Sequence, residues 1–370
     1  MNSIHGNKRS TSATVCPVVR LPLMVLVRPV SAKEIPVTRS VSAVRQVRRP
    51  QGEPRREDFA FITEQLAGPG DGQVLVENIY LSVDPYMREL MDFGGWEKGA
   101  GLEGRTLGRV IESRVTALPV GTIVFHRHGW CTHAALAEAD VRVVTPVDGV
   151  PLSAFLGILG GTGLTAYVGL TRIARLQPGE DLFISAAAGA VGSATGQIAR
   201  LLHAGRIVGS AGSAAKVEHL TTRLGFDTAF DYHAGPIPDS LATAAPEGID
   251  VYFDNVGGNH LAAAIDALRD HGRIAWCGAV AQYNSLDNPP AAPYNLFDIV
   301  GKSIRLEGFL VRDHMDAREE FEQFLIPHVR RGGIKVDETV TDGFDTIVDA
   351  FLGMLRGENT GKTLVRATPE

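Results

Sequence analysis

A glycine-rich turn is the stretch of this sequence best suited to bind a ligand. An apolar run, Asp181–Ser185, is followed by a turn and then by residues with helical spacing. In such a unit Gly189 lets the backbone approach a pyrophosphate, and Gly192 lets the helix pack close to the strand. The free N–H groups at the start of the helix favour an anion. The spacing predicts a dinucleotide site in which Ala187 replaces the first glycine; the alternative is a close turn without a ligand.

The end of the next predicted strand indicates which dinucleotide would bind. An acidic residue about 20 positions after the glycines would hold a ribose 2′-hydroxyl and select NAD. Here the strand and its extension, Arg206–Ser213, contain no acid, and Lys216 follows. Small hydroxyl residues and a lysine suit a 2′-phosphate, so the sequence predicts NADPH. Taken alone, Lys216 could equally be an exposed helix lysine.

Three histidines close together are the candidate metal ligands: His126, His128 and His133. Only Cys131 lies among them to extend the set, so a surface or core role is the favoured interpretation. The three cysteines of the chain are far apart and form no C-x-x-C pair, which argues against structural zinc and against a disulfide framework. Hydride chemistry without a Lewis acid must polarise its substrate through hydrogen-bond donors.

Composition limits the remaining function classes. The 370 residues are enough for two domains with large apolar cores. The net charge of −6 predicts no nucleic-acid surface. No apolar run reaches the length of about 18 residues that a membrane span needs. The cysteine pattern favours a reducing, cytoplasmic location, and the sequence leaves the oligomeric state open, although a homodimer is the commonest soluble assembly.

Residues 1–40 differ from the rest of the chain. They contain six basic residues against one acidic residue, several serines and threonines, and four prolines. An arginine-rich, acid-poor head resembles an organelle transit peptide. A disordered tail or an upstream start codon is the favoured interpretation, because the prolines disrupt an amphipathic helix.

The order of predicted elements indicates two domains. From Val41 to about Val150 the sequence reads as short strands between Gly/Pro-rich turns, which predicts a barrel-like, β-rich domain over residues 41–160. Residues 171–310 alternate strands and helices, the pattern of a doubly wound parallel sheet, which predicts a second domain over residues 161–333. Residues 334–370 return to complete the first domain. Between the domains we predict helices at Pro151–Gly160 and Gly163–Leu170, with a flexible joint at Gly160–Gly163.

The predicted strands of the second domain follow the apolar runs. They are Leu182–Ala186, Arg206–Ser210, Thr228–Asp231, Ile249–Asp254, Gly272–Cys277 and Ser303–Leu306. A strongly amphipathic helix is predicted at Ala317–Arg331, then a strand at Lys335–Val340, a helix near Phe344–Leu355 and a last strand at Lys362–Val365.

Five motifs in fixed order carry a family resemblance. They are Val83-Asp-Pro-Tyr-Met-Arg88, Ala186-Ala-Ala-Gly-Ala-Val-Gly-Ser193, Phe253-Asp-Asn-Val-Gly-Gly258, Cys277-Gly-Ala-Val-Ala-Gln-Tyr-Asn284 and Gly357-Glu-Asn-Thr-Gly-Lys-Thr-Leu-Val365. Over residues 41–367 the chain resembles zinc-independent medium-chain reductases of the prostaglandin reductase, 2-alkenal reductase and curcumin reductase group. The resemblance implies a GroES-like catalytic domain, a Rossmann domain, and NADPH-dependent reduction of a carbon–carbon double bond conjugated to a carbonyl.

The resemblance also implies roles for individual residues. The implied cofactor-binding residues are Gly189, Ala190, Val191 and Gly192 at the pyrophosphate, Lys216 and Tyr232 at the 2′-phosphate, and Asn255, Cys277, Gly278, Tyr283, Phe309, Leu310, Val311 and Asn359 elsewhere. Tyr283 and Tyr86 are the implied catalytic residues, since a phenol can stabilise the enolate that hydride addition creates. Each tyrosine could instead be a core or interface residue whose hydroxyl is hydrogen-bonded.

Three departures from the family pattern concern the substrate region. The chain is shorter than typical members between Tyr86 and Gly108, Gly161-Thr162 replaces a common Met-Pro, and Arg312 occupies a position where an aromatic residue is common. The expected partner is therefore a small α,β-unsaturated carbonyl compound of unspecified identity. Quinone reduction and NADPH binding with little catalysis are the alternative functions.

Overall fold

The computed structural model describes residues 38–284 and 291–370, and its strands form two large sheets and one hairpin. The hairpin consists of β1 (Thr38–Gln46) and β2 (Phe59–Ala67), which pair antiparallel. Most of the predicted N-terminal extension lies outside the described residues. Its last three residues were predicted wrongly, because Thr38–Ser40 pair with Gln65–Ala67 in this hairpin.

A six-stranded parallel sheet dominates the second half of the chain. Its strands are β8 (Leu182–Ile184), β9 (Ile207–Ala211), β10 (Thr228–Asp231), β11 (Ile249–Asp254), β12 (Leu268–Trp276) and β13 (Arg305–Gly308). Their spatial order is β10-β9-β8-β11-β12-β13. The order reverses between β8 and β11, which is where doubly wound sheets bind ligands at the carboxyl ends of their strands.

A seven-stranded, mostly antiparallel sheet contains strands from both ends of the described chain. Its strands are β3 (Gln73–Ser82), β4 (Thr106–Ser113), β5 (Ile123–His126), β6 (His133–Ala137), β7 (Arg142–Val143), β14 (Glu338–Asp342) and β15 (Lys362–Arg366). The C-terminal strand β15 pairs antiparallel with β3 through Leu364 and Ser82. The two sheets confirm the predicted fold class, whereas the boundaries at residues 160 and 333 remain predictions.

Helices pack against both large sheets. They are α1 (Met87–Phe93), α2 (Gly161–Val168), α3 (Ala190–Leu201), α4 (Ala214–Arg223), α5 (Ile237–Ala244), α6 (Gly258–Ala267), α7 (Asp298–Gly301), α8 (Arg318–Arg330) and α9 (Ile347–Leu355). Strands β8 and β9 are buried along their whole length, as expected for parallel strands covered on both faces. Within residues 38–284 and 291–370, no helix is both long and apolar enough to cross a membrane.

The connection before the parallel sheet differs from its prediction. Pro151–Gly160 is not a helix, since only the 3₁₀ turn Leu152–Phe155 forms there. Gly160–Gly163 is not a flexible joint, because α2 begins at Gly161. The Cα of Gly163 packs so closely against the carbonyl of Ile158 that a side chain would clash. These glycines therefore permit close packing rather than motion. Further along, β14 begins at Glu338 instead of Lys335.

Candidate functional site

The glycine turn between β8 and α3 leaves the start of a helix open. Gly189 precedes α3, and no side chain caps the helix. Its first backbone N–H groups therefore lack intrahelical acceptors and are available to an anion. A Cβ on Gly192 would lie 2.6 Å from the Cα of Ala187, so only glycine allows this approach of helix and turn. The close packing predicted at Gly192 is therefore present.

The structure explains why alanine replaces the first glycine of the motif. The left-handed backbone conformation in the turn falls on Ala186, whose φ is 47°, and not on Ala187. The methyl group of Ala187 points at β9, where a Cβ on Gly209 would lie 2.9 Å from it. The absence of a side chain at Gly209 thus makes room for Ala187.

The C-terminal segment closes against the same turn. The N–H of Gly361 donates to the carbonyl of Ala188 at 2.8 Å, and Gly361 forms an isolated parallel bridge with Gly189. The side-chain amide of Asn359 donates to the carbonyl of Gly361 at 2.9 Å. Asn359, for which the resemblance implies a cofactor contact, therefore lies beside the glycine turn although it precedes β15 of the other large sheet.

A buried network joins the ends of β8 and β11 where the strand order reverses. The carboxylate of Asp254 accepts hydrogen bonds from Tyr252 and Ser185 and from the backbone N–H groups of Val256 and Gly257. The side chain of Asn255 donates to the carbonyl of Ser185 at 2.8 Å. Sequence reasoning identified Asn255 but missed the anchoring roles of Ser185 and Asp254. The signal was present, because Asp254 belongs to the motif that contains Asn255.

The loop after β12 folds so that Tyr283 lies near Gly278 at the beginning of the same loop. The N–H groups of Cys277 and Gly278 both donate to the carbonyl of Asp254, at 2.8 Å and 3.1 Å. The Tyr283 hydroxyl lies 3.4 Å from the position a Cβ would take on Gly278. Burial and the nearby Glu89 raise the pKa of Tyr283 to about 12, so its phenol is a hydrogen-bond donor at neutral pH. Burial likewise raises the pKa of the Cys277 thiol to about 12, which keeps it from acting as a thiolate.

Lys216 and Tyr232 lie near the ends of adjacent strands, β9 and β10. Ser213 caps α4 by accepting from the N–H of Lys216 at 3.3 Å. The Lys216 ammonium donates to the carbonyl of Gly357 at 2.6 Å, and burial lowers its pKa. The hydroxyl of Tyr232 lies 3.1 Å from the position a Cβ would take on Gly212. Lys216 is half-buried and therefore differs from a freely exposed helix lysine.

The segment Phe309–Val311 contains both partly buried and exposed side chains. The ring of Phe309 packs edge-on against Phe253, with centroids 6.3 Å apart. Its partly buried side chain therefore packs against the core. Leu310 is 51% exposed, and Val311 begins a 3₁₀ turn. Arg312 is also exposed, with Asp313 as its neighbour.

Tyr86 precedes α1 and is surrounded by charged groups that the sequence did not indicate. Its hydroxyl donates to Glu103 at 3.2 Å, and the guanidinium of Arg105 lies 4.9 Å from its ring centroid. Burial raises the pKa of Tyr86 well above its ordinary value, and Asp84 adds to the effect. Asp84 in turn contacts Arg105 at 3.3 Å and the buried Lys362 at 3.4 Å. Burial opposes ionisation of Asp84, but the two cations outweigh it and lower its pKa.

Arg88 links the segment of Tyr86 to the loop of Tyr283. Its Nε donates to the side-chain oxygen of Asn284 at 3.1 Å. Its other nitrogens bind the carbonyl of Gly52 at 2.8 Å and the carboxylate of Asp92. Arg88 is 2% exposed, so these contacts compensate for burying its charge. The structure thereby joins the segments that carry the two candidate tyrosines.

Comparisons with known proteins identify the family of this chain. Residues 43–144 match the family model described as the N-terminal domain of oxidoreductase, and residues 190–330 match the one described as zinc-binding dehydrogenase. Over 338 residues the chain is 40% identical to the putative NADP-dependent oxidoreductase YfmJ of Bacillus subtilis (strain 168), covering 90% of this chain and 99% of that protein. The chain belongs to the medium-chain dehydrogenase/reductase family.

Two further relatives place the chain within this family. It is 42% identical over 322 residues to prostaglandin reductase 1 of Mus musculus, covering 86% of this chain and 96% of that protein. The crystal structure of CurA in complex with NADPH from Vibrio vulnificus superposes with a TM-score of 0.83 at 32% identity, covering 89% of this chain and all of CurA. This medium-chain reductase is therefore an NADPH-dependent oxidoreductase of the prostaglandin, curcumin and alkenal reductase group.

Two of the clustered histidines of this medium-chain reductase, His126 and His133, contact neighbouring polar side chains. The Nε2 of His126 hydrogen-bonds Oδ1 of Asn78 at 3.0 Å, and burial lowers the pKa of His126 to about 3. His133 lies 3.9 Å from Glu77. Among the residues that the structure describes, no group of three or more His, Cys, Asp or Glu side chains is placed to hold a metal ion.

Proposed function

We propose that this enzyme uses NADPH to reduce the carbon–carbon double bond of α,β-unsaturated ketones and aldehydes. The observation that carries the proposal is the Arg88–Asn284 hydrogen bond of 3.1 Å, which holds the segments of Tyr86 and Tyr283 together. Both phenols have raised pKa values and can act as hydrogen-bond donors at neutral pH. The names of the prostaglandin, curcumin and alkenal reductases among its relatives support this reaction class.

The proposed cofactor site follows the strand ends of the parallel sheet. The uncapped helix start at Gly189, Ala190, Val191 and Gly192 fits a pyrophosphate. Lys216 and Tyr232 provide a cation and a hydroxyl for the 2′-phosphate, and no acid at the end of β9 opposes it. The other proposed contacts are Asn255, Cys277, Gly278, Tyr283, Phe309, Leu310, Val311 and Asn359.

The proposed chemistry needs a donor at the carbonyl oxygen. Bound NADPH supplies the hydride, which adds to the β-carbon of the substrate. Electron density moves to the carbonyl oxygen, and the Tyr283 phenol or a ribose hydroxyl stabilises the resulting enolate. The α-carbon then takes a proton from solvent or from a tyrosine. Residues near Tyr86 and Tyr283 position the substrate. This positioning lowers the entropic part of the activation free energy for hydride transfer.

The test is a substrate panel with purified enzyme. NADPH consumption is followed with 2-alkenals, cyclic and linear enones, and quinones, and the products are identified by mass spectrometry. We expect saturated carbonyl products from the enals and enones. Hydroquinone formation with no reduction of any enone would contradict the proposal, as would tight NADPH binding without turnover. The cytoplasmic location and the homodimer remain sequence-based predictions.

A further inference from the structure

The carboxyl group of Glu103 lies beside the hydroxyl of Tyr86. The distances from the hydroxyl to Oε2 and Oε1 are 3.2 Å and 3.4 Å. The indole Nε1 of the buried Trp96 donates to the backbone carbonyl of Glu103 at 3.0 Å. Because Trp96 anchors the backbone here, the carboxyl group is held within reach of Tyr86.

Glu103 is also in contact with solvent. Its side chain is 24% exposed, and its Oε1 lies 2.6 Å from Nη2 of Arg127, a side chain that is 55% exposed. The N–H of Gly104 donates to the carbonyl of Arg127 at 3.0 Å, which joins the two segments at this point. Glu103 therefore connects bulk water to the partly buried hydroxyl of Tyr86.

The charges around this pair are suited to proton transfer. Arg105 lies over the Tyr86 ring at 4.9 Å, where a cation stabilises negative charge on the phenol oxygen and ring. The groups that act on the ionisation of Glu103 are Tyr86, Asp84, Arg105 and Arg127. Burial raises the pKa of Glu103, and the two arginines reduce that rise without cancelling it.

We propose that Glu103 passes solvent protons to Tyr86, and that Tyr86 delivers them to the α-carbon of the substrate. This relay rests on the enone reduction proposed above. After hydride addition, the Tyr86 O–H bond breaks as the α-carbon–hydrogen bond forms. The phenolate then takes the proton of the Glu103 carboxylic acid, and the Glu103 carboxylate is protonated again by water. The net reaction consumes one NADPH and one proton.

The protonation state of Glu103 decides where Tyr86 directs its hydrogen. A Glu103 carboxylate accepts the Tyr86 hydrogen bond, whereas a carboxylic acid donates to the phenol oxygen and frees the Tyr86 hydrogen for the substrate. The relay is therefore active while Glu103 is protonated, and it is lost as the pH rises through the raised pKa of Glu103. A purely structural Glu103 would give no such dependence.

The test uses an α-methyl enone, because its protonation creates a stereocentre at the α-carbon. Full-length wild-type enzyme, Glu103→Gln, Tyr86→Phe and the exposed control Glu112→Gln are compared in D₂O with NADPH. The enantiomeric excess at the α-carbon, the transfer of deuteride from 4-deuterated NADPH to the β-carbon, and kcat/KM against pH are measured. Gln keeps the size of Glu103 but cannot cycle a proton.

We expect one α-enantiomer from wild type and from Glu112→Gln. In Glu103→Gln and Tyr86→Phe we expect the enantiomeric excess to be lost and kcat/KM to fall by about 10²-fold. In both variants kcat/KM should no longer decline at high pH, while stereospecific deuteride transfer to the β-carbon continues. Unchanged enantiomeric excess and pH profile in both variants would overturn the relay alone. If Glu103→Gln unfolds, Tyr86→Phe decides the question, since it leaves the Glu103–Arg127 pair intact. Absence of deuteride transfer in wild type would instead refute the proposed function, and the relay with it.

Discussion

The guanidinium of Arg88 donates a hydrogen bond to the side-chain oxygen of Asn284, a residue 196 positions further along the sequence. Arg88 follows Tyr86 by two residues at the start of α1, and Asn284 directly follows Tyr283. This hydrogen bond therefore joins the two segments that carry the candidate tyrosines. This relationship makes the positions of the two tyrosines interdependent.

Removing the acceptor of this hydrogen bond should impair both stability and turnover. In Asn284→Ala, Nε of the buried Arg88 loses its partner, which should cost about 1–3 kcal/mol in the free energy of unfolding. Displacement of Tyr283 should lower kcat/KM for an enone by about 10-fold or more. Asn284→Asp retains an acceptor and is the matched control. Urea unfolding and steady-state kinetics measure the two effects; equal behaviour of the two variants would contradict the positioning role.

Tyr283→Phe tests the oxyanion role of this phenol. Loss of one donor to the enolate oxygen should reduce kcat by about 10²–10³-fold and leave the Kd for NADPH nearly unchanged. Because burial raises the pKa of Tyr283 to about 12, the wild-type phenol should remain a donor up to that pH. Single-turnover kinetics with a 2-alkenal and NADPH titration by fluorescence separate the two quantities. A variant that turns over at the wild-type rate would show that Tyr283 is only a packing residue.

Lys216→Ala tests cofactor selectivity. Removal of the cation should weaken NADPH binding by about 10–100-fold through loss of a charge-assisted contact with the 2′-phosphate, while NADH binding should change little. Calorimetric titration with both cofactors measures the ratio of the two Kd values. Lys335→Ala, which removes a lysine whose ammonium donates to the carbonyl of Gly332, is the matched control. An unchanged ratio in Lys216→Ala would refute the phosphate role.

His126 should make stability depend on pH. Burial lowers its pKa to about 3 from the ordinary 6.5. Between these values the unfolded chain binds more protons, so the free energy of unfolding should fall as the pH decreases from about 6.5 towards 3. The contribution of this group is on the order of a few kcal/mol. Urea unfolding at several pH values measures this effect. The free energy of unfolding should fall less steeply with decreasing pH in His126→Gln than in wild type, whereas the exposed control His233→Asn should show the wild-type dependence.

The fold was largely predictable because its signals are local. Apolar runs marked each strand of the parallel sheet, and Thr228–Asp231 and Ile249–Asp254 form as predicted. The turn before α3 was recognisable because Gly189 and Gly192 meet requirements of backbone geometry that act within a few residues. The same local reasoning failed at Gly160–Gly163. There, glycine serves close packing against Ile158, a contact that composition cannot distinguish from flexibility.

The amino-acid sequence by itself determined the order of elements, the open helix start at the glycine turn and the preference for NADPH, since each depends on residue type over short separations. Only the tertiary structure decided which side chains surround the two tyrosines. Arg88 meets Asn284, and Glu103 and Arg105 meet Tyr86, through the way the two domains and the segment after α1 pack. The spacing of residues in the sequence does not specify such contacts. A charged side chain needs a protein partner only where burial excludes water, and burial depends on the tertiary structure.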